Sequence, residues 1–235
     1  MDTNKRDFIA AAPWLEGVSP DCIDFLAKNC QIRHFPEGRN IVSRGTVSKN
    51  LYGVVAGSVR ISTHSARGQH LIIDDGEAGK WLGELSLFDT QPSMVDLRTR
   101  EESTIMFIAN DIIHKAGERW PEIYRGIAKW TAKVGLPLLS LVELVAAHPL
   151  SVRLAFRILG LVNEFGVRQD DGSYIISKRV TQTELADMAY GTRQHVNRIM
   201  KQWNSNDLLM MKGNNLVILD RTGLFAEANE TGFSS

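Results

Sequence analysis

The chain is poor in cysteine, with only Cys22 and Cys30, which stand eight residues apart around a stretch, Pro20 to Asn29, that reads as a helix. In a reducing cytosol these remain thiols, and buried structural thiols are the expected state. Net charge is also lacking: 27 basic side chains balance 27 acidic ones, so any attraction for nucleic acid must come from a local patch. No uninterrupted apolar run reaches the length of a membrane span, and the opening MDTNKRDF has no apolar signal core, so a cytoplasmic protein is expected. Catalytic patterns are missing as well. There is no nucleophile elbow, no Walker loop, no zinc spacing and no paired carboxylates tied to a pocket. Asp74 and Asp75 are adjacent and would point to opposite faces of a strand, so an enzyme is not expected.

What is present falls into three regimes, within a length of 235 residues that admits two modest domains. From Ile32 to Ile108, short β-like runs (IRHFPEGRNIVSRG, LYGVVAGSVRIST, QHLIIDDGEAG and STIMFIAN) are punctuated by Gly38, Gly45, Gly57, Gly68, Gly76 and Gly83. That rhythm predicts an antiparallel roll or barrel. From Pro121 to Ala146 the period becomes helical. Ile123, Ile127, Trp130, Val134, Leu141 and Leu144 fit alternating three- and four-residue steps, the spacing of a seam between two helices, and predict pairing with a second copy. Pro137, two residues after Gly135, would cost about 3 kcal/mol inside an unkinked helix. A kink or break is expected there, serving either as a hinge or as a bend in a helix packed on its own roll. His148 and Pro149 mark a joint before a helix from Leu150 to Phe165. The terminal stretches, Met1 to Arg6 and Ala226 to Ser235, are expected to be loose.

The third regime carries the most specific signal. In TQTELADMAYGTRQHVNRIMKQW, Thr181 and Glu184 have capping-box spacing, so a helix starts near Gln182. Gly191 is expected to supply positive φ at a turn, and Thr192 a second N-cap. Beyond it Val196, Ile199, Met200 and Trp203 form one apolar stripe, while Gln194, Asn197, Arg198 and Lys201 form the opposite one. Thr192 to Trp203 contains no acid at all. Arg can bond guanine O6 and N7, Gln or Asn can bond adenine N6 and N7, and Lys a phosphate, so this helix is read as a DNA reader. A hairpin around Asp171 and Gly172 precedes it, and LLMMKGNNLVILD, turning at Gly213 to Asn215, follows it as a wing.

A glycine-punctuated roll, a long helix and a winged helix-turn-helix in this order resemble the CRP/FNR family of bacterial transcription regulators, over about Leu15 to Asp220. The implied fold is α+β: an antiparallel, jelly-roll-like sensor domain at 1–118, a dimerisation helix and hinge at 119–147, and a winged helix-turn-helix at 148–235. GELSLFD, Gly83 to Asp89, looks like the start of the family's phosphate-binding cassette. The family's base-reading triplet falls on Arg193, Gln194 and Arg198. Members of the cyclic-AMP type carry Glu where this chain has Gln194, so a different half-site preference is implied. The resemblance further implies a homodimer on an inverted repeat of double-stranded DNA. Lys178, Arg179 and Lys201 would hold phosphates, with Thr181 and Thr192 beside them, and RNA polymerase is a candidate partner through loops of the roll. The rival reading is a nucleotide-binding regulatory module that does not bind DNA.

The effector is where the pattern departs. Gly83, Glu84, Leu85, Ser93 and Met94 mark the candidate pocket. Glu84 matches the cassette's ribose-binding Glu, but Ser93 and Met94 stand where the family's phosphate-binding Arg and its hydroxyl neighbour would be. Loss of that charge-assisted bond costs about 1.5 to 3 kcal/mol, so cyclic AMP is not the expected effector. Arg98 and Arg100 would share one strand face that the sequence does not place. An iron-sulfur cluster needs four thiolates, twice what one chain supplies. His34, His64, His70, His114 and His148 lack a spacing diagnostic of haem. A different small molecule, or no effector with Met94 and Leu97 packing the pocket, remains. No metal is expected.

Overall fold

The computed structural model describes residues 3–65, 68, 70–88, 91–213 and 215–229. It divides into two compact units, one comprising Met1–Thr63 with Ile73–Leu138 and the other His64–Ile72 with Leu139–Ser235.

The first unit opens with helices α1 (Thr3–Ala10) and α2 (Pro20–Lys28). Ser19 caps α2 by accepting from the Asp21 N–H at 3.3 Å, and Pro20 occupies the first turn, where its missing N–H costs nothing. The roll follows: β1 (Gln31–Phe35), β2 (Asn40–Val42), β3 (Asn50–Ala56), β4 (Ser58–His64), β5 (His70–Glu77), β6 (Trp81–Leu82), β7 (Asp96–Thr99) and β8 (Ser103–Ala109). Two four-stranded sheets result, ordered β1-β8-β3-β6 and β2-β7-β4-β5, and their described pairings are antiparallel. Gly57 turns β3 into β4 at φ +81°, where an added Cβ would lie 2.4 Å from Ser103 Oγ, so both conformation and space demand glycine. Val42, Tyr52, Val54, Val59, Leu97 and Ile105, drawn from both sheets, form the roll core. The short β6 was not among the runs read from sequence, whereas the strand expected around Arg98 is present as β7. Gly76 lies inside β5 without positive φ.

Helices α3 (Asn110–Arg119) and α4 (Glu122–Ala147) close the first unit's second core. Here the seam expectation needs correction. Ile123, Ile127 and Trp130 are buried, and Val134 packs, against the unit's own cluster of Trp14, Leu26, Leu51 and Ile113. Trp130 stacks on Trp14 at a centroid distance of 6.2 Å. Of the remaining two seam residues, Leu144 is buried and Leu141 half-buried. A three-four period serves a helix lying on its own domain as well as it serves a coiled coil, so the pattern alone did not choose. The exposed apolar side chains are instead Leu136, Leu138, Leu139, Val142 and Val145. Helix α4 runs unbroken through Pro137, so no break occurs there. Its 26 residues are also long and apolar enough to cross a membrane, with mean hydropathy 1.4 over an 18-residue window. Lys133 and Glu143 interrupt the run without lowering that mean enough, which corrects the expectation drawn from uninterrupted stretches.

The second unit is built from α5 (Leu150–Phe165), β9 (Gly166–Arg168), β10 (Tyr174–Ile176), α6 (Gln182–Met188), α7 (Arg193–Ser205), β11 (Leu209–Lys212), β12 (Asn215–Ile218) and α8 (Arg221–Asn229). Its sheet runs β11-β12-β10-β9. Leu154, Ile158, Leu185, Val196, Trp203 and Ile218 are among its buried core. The termini are more ordered than expected, since α1 begins at Thr3 and α8 continues to Asn229; Met1, Asp2 and residues 230–235 lie outside the described residues.

Candidate nucleic-acid interface and effector pocket

The reader is organised from its caps. Thr181 Oγ1 accepts from the Glu184 N–H at 3.2 Å while Glu184 Oε2 accepts from the Thr181 N–H at 2.9 Å, so the capping box is complete and fixes where α6 begins. Thr181 also donates its hydroxyl to Glu184 at 3.0 Å, which ties that side chain to the cap. Thr192 caps α7 through the His195 N–H at 3.4 Å.

Between the helices the turn differs from expectation. Tyr190, not Gly191, takes positive φ, at 54°. Gly191 is required for space, because a Cβ there would lie 2.5 Å from Leu150 Cδ1. Arg157 holds the turn, donating from Nε to the Met188 carbonyl at 3.0 Å and from Nη2 to the Tyr190 hydroxyl at 3.3 Å. That long-range clamp is invisible in the local pattern and explains how a non-glycine residue is kept left-handed.

On α7, Val196, Met200 and Trp203 are buried and Ile199 packs beside them. Burying side chains of this size contributes about 1.5 to 3 kcal/mol each, which fixes the helix's rotation and therefore what it shows to solvent. Arg193, Gln194, Arg198 and Lys201 are exposed, as are Arg179 and Thr192. Asn197 is half-buried and donates from Nδ2 to Gln182 Oε1 at 3.1 Å, so its amide joins α7 to α6 and does not stand free for a base. Lys178 lies over the Phe165 ring at 4.4 Å. His195 and Gln202 are exposed on α7 too and were not singled out from sequence. The wing is present as β11 and β12 with Gly213 at φ 63°; Asn214 of its turn lies outside the described residues.

In the roll, Gly83 at φ 100° packs beneath Asn50 and Tyr52 and leads into a short 3-10 turn, Glu84–Ser86. The Glu84 side chain is buried and makes no ion pair among the described residues. Burial pushes its carboxyl above the usual glutamate range, against the opposing pull of the Glu84 and Gly83 backbone N–H groups and of Lys80. Ser93 is stitched into the backbone. Its N–H donates to the Thr46 carbonyl at 2.8 Å, its carbonyl accepts from the Gly45 N–H at 2.8 Å, and its hydroxyl donates to the Val95 carbonyl at 2.8 Å. Met94 is 79% exposed and Leu85 64%, so neither packs a pocket, which corrects the picture of Met94 filling it. Leu97 is buried in the roll core, as expected, and Arg98 therefore points outward from it. Asp89, the last residue of the cassette-like motif, lies outside the described residues. An open cleft of about 410 Å³ flanks Tyr52, lined by residues that include Val42, Thr46, Ser48 and Lys49.

Both cysteines are buried free thiols. Burial, reinforced by Glu122, pushes Cys22 up to about 11, which makes it inert at neutral pH. Among the described residues no group of three His, Cys, Asp or Glu side chains gathers as a metal site.

A sensor-type roll on the same chain as a capped two-helix reader with a wing defines a DNA-binding regulator. Residues 32–119 match the family model of the cyclic nucleotide-binding domain, and residues 152–226 that of the Crp-like helix-turn-helix domain. A CRP-like cAMP-activated global transcriptional regulator of Mycobacterium tuberculosis is 25% identical over 223 residues, covering 94% of this chain and 99% of that protein. Among solved structures, the c-di-GMP responsive global regulator CLP of Xanthomonas campestris gives a TM-score of 0.75 at 21% identity, covering 86% of this chain and 100% of that one. FixK2 of Bradyrhizobium japonicum gives 0.72 at 15% identity, covering 88% and 99%. The chain belongs to the CRP/FNR family of transcription regulators.

Proposed function

We propose that the protein is a homodimeric, sequence-specific regulator that reads an inverted repeat of double-stranded DNA through α7, in the cytoplasm and with RNA polymerase as a further partner. The observation that carries this is the acid-free exposed stripe of α7, Arg193, Gln194, Arg198 and Lys201, set rigidly over the buried Val196, Met200 and Trp203. Two such helices would enter successive major grooves about 34 Å apart. Arg193 and Arg198 would contact purine edges and Gln194 would discriminate one base pair, with Lys178, Arg179 and Lys201 on phosphates. The functional division follows the chain: sensor at 1–118, dimer helix at 119–147, reader at 148–235.

The second copy would pack on the exposed Leu136, Leu139 and Val142 of α4, which supplies apolar cover without a membrane. Any effector would act through its differential affinity for two orientations of the paired readers. Cyclic AMP is disfavoured as that effector. Ser93 stands at the position of the phosphate-binding Arg and is bonded within the backbone, and the buried Glu84 carboxylate faces no guanidinium among the described ion pairs.

Arg198→Ala tests the reading. The expected outcome is a loss of about 1 to 3 kcal/mol on the preferred duplex, with relaxed preference at one base position. An equal loss on all sequences would reduce Arg198 to a phosphate contact. Absence of salt-dependent duplex binding by the parent protein would favour a regulatory module that does not touch DNA.

A further inference from the structure

The outer face of the β2-β7-β4-β5 sheet carries basic groups that the reading above does not use. Leu97 and Thr99 of β7 point into the roll, so Arg98 and Arg100 point out. Arg98 is flanked across the strands by Asn40 on β2 and Arg60 on β4. Arg60 and Arg100 share one carboxylate, Asp75, at 2.9 and 3.1 Å. Arg98 and its neighbour Arg39 have no carboxylate partner among the described residues, Glu37 of the same turn included. Together with Gly38 and Asn40 these two arginines line an open notch of about 430 Å³.

The notch is built rather than incidental. Arg98 Nε donates to the Gly38 carbonyl at 2.7 Å, which pins the guanidinium, and a Cβ on Gly38 would lie 3.3 Å from Arg98 Nη2, so the absent side chain leaves the fork's far edge clear. The turn is laced to β7: the Gly38 N–H donates to the Thr99 carbonyl at 2.9 Å, the Thr99 N–H to the Arg39 carbonyl at 2.9 Å, and the Arg39 N–H to the buried Thr99 hydroxyl at 2.9 Å. Both arginines line the one notch on a backbone held by these bonds, so an anion bound there would meet two positive side chains. A planar fork with free N–H groups matches phosphoryl oxygens.

We propose that this notch is an anion site separate from the cassette, binding a phosphoryl group between Arg98 and Arg39. The group is supplied either by a free phosphorylated small molecule or by a nucleic-acid backbone. Calorimetric titration of the full chain with inorganic phosphate at constant ionic strength tests it, alongside the slope of duplex affinity against salt. Saturable phosphate binding is expected, weakened about tenfold or more in Arg98→Gln and less in Arg98→Lys, which keeps the charge but loses the fork. Arg39→Gln leaves the Arg98–Gly38 bond intact and should also weaken binding, so the test survives if Arg98→Gln loosens the turn. A shallower salt slope in Arg39→Gln, by about one unit, identifies the backbone as the source; an unchanged slope with lost phosphate binding identifies a free ligand. Phosphate heats and salt slopes identical in parent and variants overturn the proposal.

Discussion

Glu84 shows how much one side chain's surroundings set its chemistry. Its carboxyl is buried beside backbone N–H groups that offset only part of the lost hydration, and its folded pKa lies above the ordinary value. The charged form therefore costs stability at neutral pH. That cost shrinks as pH falls through the folded pKa and vanishes below the unfolded value, where both states are protonated. In protein free of added ligand, Glu84→Gln should raise the thermal midpoint at pH 7, and the gain should disappear by about pH 4, near the ordinary glutamate value. A gain that persists at low pH would assign the effect to packing. The same scale shows what local pattern can reveal. Thr181 and Glu184 announced their capping box because both partners lie within one turn, and the structure contains both bonds. Tyr190 gave no such warning, because the Arg157 contacts that hold its positive φ come from 33 residues away.

Helices α4 and α7 show the reach and the limit of periodicity. In α7 an apolar stripe and an acid-free stripe leave one rotation that buries the first, so the exposure of Arg193, Gln194, Arg198 and Lys201 was legible, whereas Asn197 turns its amide to Gln182 and the exposed His195 and Gln202 were passed over. In α4 the period was correct but its partner was not: the stripe through Ile123, Ile127 and Trp130 lies on Trp14 of the same chain. Gly126 marks how close that contact is, since a Cβ there would lie 2.0 Å from the Trp14 carbonyl oxygen. Backbone cannot give way as a side-chain tip can, and Gly126→Ala should destabilise the sensor unit by about 1 to 3 kcal/mol, measured by denaturant unfolding. An unchanged midpoint would mean that α4 stands off the roll. The far half of the helix makes the opposite prediction. Leu139 and Val142 are exposed, so Leu139→Lys with Val142→Lys should leave the unfolding midpoint of the roll within about 0.5 kcal/mol yet weaken self-association in sedimentation at least tenfold. Equal association of parent and variant would place the second copy elsewhere, and vesicle binding lost in the variant would mark a membrane face.

At the scale of the whole chain, a roll, a long helix and a winged helix-turn-helix follow one another, and the α+β class and this order were visible in the sequence. The composition regimes change at Pro121 and His148 because strand, long helix and winged unit bury their apolar residues at different periods. The effector was less legible, since a pocket depends on which side chains converge, and Met94 and Leu85 proved to face solvent. DNA reading by α7 is the central claim, and selection of bound duplexes from a random pool, with the parent protein and Gln194→Glu compared, tests it most directly. The account predicts an enriched inverted repeat with half-site centres about one helical turn apart, and a change at one base pair in each half-site when Gln194, which favours adenine, becomes Glu, which favours cytosine. Enrichment without a repeated half-site, or identical repeats from both proteins, would contradict it.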